Sequence, residues 1–276
     1  MLNEKCCKET SDKPLNQKYW DTQYQALDTG WDLGEVSPPI KTYIDKIQNK
    51  EIALLIPGCG NAYEAEYLLK QGFTNITLID IAPTLVQSLK NKFAKNKNIT
   101  ILLGDFFEHQ NTYDLILEQT FFCALPPTLR QKYVWKTHQL LSSNGILAGL
   151  LFNRDFEVNP PFGGNKEEYE SLFQHAFVVN SFGLTKNSIP KRLNSELFFE
   201  FQKNNFSQVH LYQFEGIKSN VCKSKVTHKY LEIEKVLNVS MNNDCTEILI
   251  ASTSEIDLKV LQDIISYDLE YKIALY

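Results

Sequence analysis

The sequence predicts an α/β domain built on a mostly parallel sheet, followed by a smaller module. Three observations predict it. From Ile52 onward, short apolar or β-branched runs alternate with longer segments of helical period; a glycine turn stands where the first run meets the first helix; and the series stops near Phe214. The chain has 276 residues, 43% hydrophobic and 22% charged, enough for one domain with an appendage that folds by burial alone.

The elements follow in order. Residues 52–56 read as the first strand, then a helix over 62–71 ended by Gly72 as its C-cap, a strand over 76–79, and a helix over 83–93 with proline in its first turn. Strands 99–102, 113–117 and 146–152 continue the series, with a helix over 129–141 between the last two and Asn144-Gly145 as its stop signal. A Pro/Gly-rich loop, 159–164, leads to a helix over 166–176, and strands 178–184 and 197–201 bring the number to seven. The first domain is thus expected to span 1–213. In 214–276 a polar, basic stretch (218–229) precedes strand 248–251, helix 258–266 and strand 271–275, a small α+β module.

Composition narrows the function. A net charge of -5 without a dense basic patch argues against a nucleic-acid or anionic-membrane partner. Cys6, Cys7, Cys59, Cys123, Cys222 and Cys245 show no metal or redox spacing, so reduced, unpaired thiols are expected and no metal site. Residues 1–18 lack the apolar core of a leader, and no stretch approaches a membrane span, which gives a cytoplasmic expectation.

The chemistry is concentrated at strand ends. Pro57-Gly58-Cys59-Gly60 sits at the first strand-to-helix turn, where glycines let backbone pass against a ligand and the helix offers free N–H groups. Asp80, with Ile81 after it, ends the second strand twenty residues past Gly60, where an acid can take both ribose hydroxyls. A tight turn with a surface aspartate is the plainer alternative. Ala62 stands where a pyrophosphate fingerprint would need a third glycine, so a nucleoside without pyrophosphate fits better than NAD. S-adenosylmethionine is such a ligand: its carboxylate would face the helix terminus and Glu64 its ammonium. Asp105, after the third strand, can accept from the adenine amino group, with Phe106 beside the ring.

Trp20 to Gly34, the P-G-C-G turn, Tyr113 to Glu118, Phe121 to Pro127 and Arg130 to Tyr133 together resemble the thiopurine S-methyltransferase superfamily, in particular its thiol/halide methyltransferase branch. The resemblance covers residues 20–201. It implies a class I methyltransferase fold, a Rossmann-like seven-stranded sheet with helices on both faces and an antiparallel last strand. It also implies S-adenosylmethionine held by Trp20, Tyr24, Trp31, Gly58, Cys59, Gly60, Glu64, Asp80, Ile81, Asp105, Phe106 and Glu118. The aromatics have their own rationale, since a sulfonium is a cation and aromatic faces attract cations.

Methyl transfer from a sulfonium to an anion destroys charge, so an apolar pocket that aligns the reactants suffices and no general base is required. The expected product is a methylated small, soft nucleophile, a thiol or a halide-like anion, with Phe122, Phe152, Arg154 and Phe162 forming the acceptor pocket. Glu118-Gln119 replaces the Asp-Tyr of close relatives, and Phe152 and Phe162 stand where tyrosines are common. Two other readings use the same residues: a non-catalytic sensor of the nucleoside, and an amino methyltransferase using Asn159-Pro160-Pro161-Phe162, although that signature belongs after the fourth strand.

Overall fold

A computed structural model describes residues 14–205, 208–241, 245–268 and 270–275. Two helices, α1 (Gln17–Gln25) and α2 (Pro38–Ile44), precede the first strand. The alternating series then runs β1 (Leu54–Pro57), α3 (Tyr63–Lys70), β2 (Ile76–Asp80), α4 (Pro83–Lys92), β3 (Ile99–Leu103), β4 (Tyr113–Gln119), α5 (Arg130–Leu140), β5 (Leu141–Phe152), α6 (Lys166–Phe173), β6 (Phe177–Leu184) and β7 (Glu196–Lys203). All seven expected strands form one sheet, in the order β3-β2-β1-β4-β5-β7-β6. β1 to β5 pair in parallel, and β7 is antiparallel to both its neighbours.

The buried runs explain the layering. β1 and β2 are buried at every position, as strands covered on both faces must be. Leu54 and Ile56 pack with Ala65, Leu68 and Leu85 of α3 and α4, whereas Leu55 joins Tyr133 and Trp135 of α5 on the opposite face. Strand order reverses between β1 and β4, which opens a crevice at the carboxyl ends of the strands there.

The tail is richer than the sequence reading. β8 (Gln208–Glu215), α7 (Asn220–Leu231), β9 (Val236–Met241), β10 (Glu247–Ser252), α8 (Leu258–Ile265) and β11 (Lys272–Leu275) make a four-stranded antiparallel sheet, ordered β11-β8-β10-β9, with two helices. A division at 213/214 falls inside β8, the strand of this smaller sheet that spans Gln208–Glu215. One of its faces sends Leu249 and Ala251 into the cluster of Trp135; the other sends Ile248 and Ile250 against Val226 and Tyr230 of α7 and Leu261 of α8. Helix α5 is thereby enclosed by both sheets, and even Lys136, Thr137 and His138 are buried. Asn144-Gly145 does not stop this helix: it falls in β5, where the register with β4 shifts between Tyr113 and Leu115. Among the described residues, no helix is long and apolar enough to cross a membrane, and Cys59, Cys123 and Cys222 are free thiols. Cys6 and Cys7 lie outside the described residues.

Candidate active site

The β1–α3 turn has a backbone that its sequence explains. Gly58 and Gly60 take φ of +54° and +49°, the left-handed region that side chains disfavour. A Cβ on Gly58 would lie 2.2 Å from Cδ2 of Phe121, so the ring after β4 packs directly on the turn. Ala62 adopts φ of +56° at the start of α3 despite its methyl group.

Two acids stand behind this turn. Asp80, at the tip of β2, is 7% exposed and accepts from the Ala82 amide at 3.0 Å and from the Gly60 and Ile81 amides; burial nonetheless pushes its carboxyl up to about 6. Glu64, in the first turn of α3, is raised by burial to about 7, partly offset by its own amide and that of Ser37. Neither makes an ion pair among the described residues. Cys59 is buried beside them, and burial followed by the Asp80 charge holds its thiol well above the ordinary range.

The amino-terminal aromatics close one side. Asp21 of α1 accepts from the Thr84 amide at 2.7 Å, supplying the cap that the N-terminus of α4 lacks from its own Ala82. Docked this way, Trp20 and Tyr24 meet Trp31 edge to face at 5.6 and 5.9 Å. The Tyr24 hydroxyl lies 3.6 Å from where a Gly60 Cβ would be, and burial, then the Asp80 charge, pushes its phenol well above the ordinary range, so it stays protonated. Arg192 donates to the Trp31 carbonyl at 3.0 Å while pairing with buried Glu196 at 3.2 Å, and its guanidinium lies 5.2 Å from the Phe152 ring centre.

These groups line a single cleft of about 940 Å³. Trp20, Tyr24 and Trp31 line it, as do Gly58, Cys59 and Gly60, Glu64, Asp80 and Ile81, and Asp105 and Phe106. Asp105 also accepts from the Phe107 amide at 2.8 Å, and Phe106 is buried against Phe121 at 5.2 Å. Phe152 and Arg154 line the far end.

Three expected residues lie elsewhere. Glu118 is fully buried behind the wall, where it accepts from the Phe121 and Phe122 amides and the Tyr133 hydroxyl, each at 2.8 Å. Phe122 faces the core against Tyr133, Tyr169 and Arg130 instead of the cleft. Phe162 is held by its backbone, its amide donating to the Cys123 carbonyl at 2.7 Å, and its side chain does not reach the cleft. Pro160 and Pro161 line the cleft, whereas Asn159 is not among its lining residues. Gln119 was not anticipated. It lines the cleft, and its Oε1 is buried with no hydrogen-bond partner among the described residues, an acceptor left open.

Residues 15–201 match the family model for thiopurine S-methyltransferase. The chain belongs to the thiopurine S-methyltransferase family. It is accordingly an S-adenosylmethionine-dependent methyltransferase. A probable thiol methyltransferase 2 of Arabidopsis thaliana is 31% identical over 159 residues, 55% of this chain and 70% of that protein. Thiocyanate methyltransferase 1 of the same plant is 24% identical and covers 70% of this chain and 88% of its own. A thiopurine S-methyltransferase of Vibrio parahaemolyticus is 26% identical, over 57% of this chain and 82% of its own. The class I fold is shared with solved structures. A Burkholderia thailandensis 1,6-didemethyltoxoflavin N1-methyltransferase, bound to 1,6-didemethyltoxoflavin and S-adenosylhomocysteine, superposes with a TM-score of 0.56 at 16% identity, over 71% of this chain and 94% of that one. The family match ends before the smaller sheet begins at Gln208.

The cleft fits the family's methyl donor on its own evidence. Among the described residues the two buried carboxyls make no ion pair and the Gln119 oxygen has no donor, which leaves them open to a ligand's hydroxyl and ammonium groups, and the glycine turn has no side chain to obstruct close approach.

Proposed function

We propose that the enzyme methylates a small, soft nucleophile, a thiol in its thiolate form, and that the cleft holds donor and acceptor at its two ends. Asp80 would take the donor's ribose hydroxyls and Glu64 would face its ammonium, with Asp105 and Phe106 at the adenine and Trp20, Tyr24 and Trp31 at the sulfonium. Bound there, it supplies an electrophilic methyl: the thiolate lone pair forms the new sulfur–carbon bond as the donor's carbon–sulfur bond breaks onto its own sulfur, so two charges become none and no proton moves.

The chain's residues provide position and dryness. Phe121, Phe152, Phe156, Pro160 and Pro161 exclude water from the acceptor end, where a low dielectric favours charge neutralisation. Arg130 holds the proline loop in place, donating to the Gly163 carbonyl at 2.7 Å and pairing with Glu168 at 2.5 Å. The observation that carries the reading is that one cleft combines buried acids, Glu64 and Asp80, with the apolar surface of Phe121, Phe152, Phe156, Pro160 and Pro161, a setting that favours neutralisation of a thiolate by a sulfonium. Similarity to proteins named thiol and thiocyanate methyltransferase supports it. The test supplies the full-length enzyme with S-adenosylmethionine and a panel of thiols, thiocyanate, iodide and amines, and reads S-adenosylhomocysteine and methylated product by mass spectrometry. Methyl thioethers are the expected product; donor binding without turnover, or product from amines alone, contradicts the proposal.

A further inference from the structure

Arg192 joins the two walls of the cleft. It ends a short 3-10 turn, Pro190–Arg192, where its carbonyl accepts from the Ser195 amide at 3.0 Å and the Ser195 hydroxyl at 2.9 Å. The guanidinium then reaches three partners at once. It pairs with Glu196, the first residue of β7, at 3.2 Å, donates to the Trp31 carbonyl at 3.0 Å, and lies 5.2 Å from the Phe152 ring centre. Glu196 stands opposite Phe152 in the β5–β7 register, so these two side chains share one face of the sheet. The ion pair is shielded, with 12% of the Arg192 side chain and 3% of the Glu196 side chain exposed. The segment that Arg192 holds has a second anchor: Asp32 accepts from the Asn61 side chain and from the Tyr63 hydroxyl, where β1 hands over to α3. With the strands ordered β1-β4-β5-β7, Trp31 and Asp32 tie the β1 side of the cleft to the β5–β7 side. Trp31 and Phe152 both line the cleft.

We infer that Arg192 is a positioning residue for both reactants: its fork seats Trp31 at the donor, and its pairing with Glu196 and its contact with the ring seat Phe152 at the acceptor. A guanidinium suits this task. Its planar fork donates to two acceptors at fixed angles while its face meets a ring, which a single ammonium cannot do. Arg192 acts through Trp31 and Phe152, so its contribution is geometric, and an in-line displacement tolerates little misplacement of either reactant. The inference rests on the placement of the donor in this cleft proposed above and adds a residue to it.

Variants of the full-length enzyme separate this role from that of a plain ion pair. Arg192→Met alone would leave Glu196 buried without its cation and lose stability on that ground. The comparison therefore uses Arg192→Lys, which keeps the charge, and the double variant Arg192→Met, Glu196→Gln, which removes both charges. Each is measured below the onset of its unfolding. Both are expected to bind S-adenosylhomocysteine at least about fivefold more weakly than wild type by calorimetric titration. At saturating S-adenosylmethionine, kcat/KM for thiophenol is expected to fall by at least about tenfold. Hydrogen exchange supplies a local readout: S-adenosylhomocysteine slows exchange over residues 20–36 in wild type, and in Arg192→Lys that protection is lost while it persists over residues 57–62. The binding and exchange arms need no acceptor, so they decide whichever nucleophile is methylated. Affinity and protection restored by Arg192→Lys would mean that the residue only balances Glu196, and overturn the inference. Weakened binding accompanied by faster exchange throughout the main sheet would assign the loss to the fold, and also overturn it. If S-adenosylhomocysteine binds wild type without protecting residues 20–36, the placement of the donor fails, and this inference with it.

Discussion

Gly58 leaves no room for a side chain in the β1–α3 turn. Gly58→Ala places a methyl 2.2 Å from the Phe121 ring on a backbone with φ of +54°, so the turn or the ring must move. A loss of about 1–3 kcal/mol in stability is expected, together with loss of donor binding, measurable as an absent melting-temperature shift with S-adenosylhomocysteine. The buried carboxyls make a second prediction, about pH. Asp80 and Glu64 are raised to about 6 and about 7, so the folded protein binds their protons more tightly than the unfolded chain does. The stability they contribute is full below their unfolded values and is lost as pH rises through about 6 to 7. A cationic ligand beside them reverses the preference, because it favours the ionised forms. The melting-temperature increment given by S-adenosylhomocysteine, which retains the ammonium, is therefore expected to grow from about pH 5.5 to about pH 7.5. Of the charged groups around Glu64, Asp32 works with burial and Arg192 against it, and neither changes this sign. Glu118, raised by burial to about 7, shares in the loss of stability but not in the ligand effect, because it faces away from the cleft.

At the scale of elements, the central strands are legible because they are buried: every position of β1 and β2 is covered, and the apolar run Leu115-Ile116-Leu117 forms the middle of β4. Asp80 is legible for the same reason, since it ends β2, whereas Asp105 follows the half-exposed β3, which its β-branched run marks. The acceptor half is less so. Adjacent residues at the end of β4 point to opposite sides, so a reading one residue out exchanges Glu118, buried in the core, for Gln119, open to the cleft. Phe122 and Phe162 fail similarly: an aromatic near a strand end fits core or pocket equally well until Arg130, stacked on the Phe122 ring, settles the matter. Helix α7 escaped notice because its buried stripe, Val226 and Tyr230, is thin among polar residues, and β8 because buried Tyr212 and Phe214 alternate with His210 and Gln213. The contact of α1 with α4 joins Asp21 to Thr84 across 63 residues, which no local pattern reports. Asp21→Ala is expected to cost about 0.5–2 kcal/mol as a lost cap and to weaken donor binding with it, because Trp20 and Tyr24 ride on the same helix. Thermal melts and calorimetric titration of one variant test both; a lowered melting temperature with unchanged affinity would separate the aromatic wall from the donor.

At the scale of the whole molecule, α5 is the element shared by both sheets. It packs Tyr133 and Val134 in the cluster of the main sheet, and Trp135 shares that cluster with Leu249 and Ala251 of β10. We propose that the two units unfold together in consequence. Leu249→Ala, at a position 5% exposed, is expected to cost about 2–5 kcal/mol and to lower the temperature of one cooperative transition, scanned calorimetrically and followed by activity. Two resolved transitions, only one of them displaced, would mean that the smaller sheet is an independent body. The central claim concerns the larger unit: the donor is gripped at the carboxyl ends of β1 and β2. Calorimetric titration of S-adenosylhomocysteine into wild type and Asp80→Asn tests it most directly. An affinity weaker by about 10- to 100-fold in the variant, with the fold intact by circular dichroism, is the expected result, since a hydrogen bond to a charged group is lost. Equal affinity in the two proteins would contradict the account.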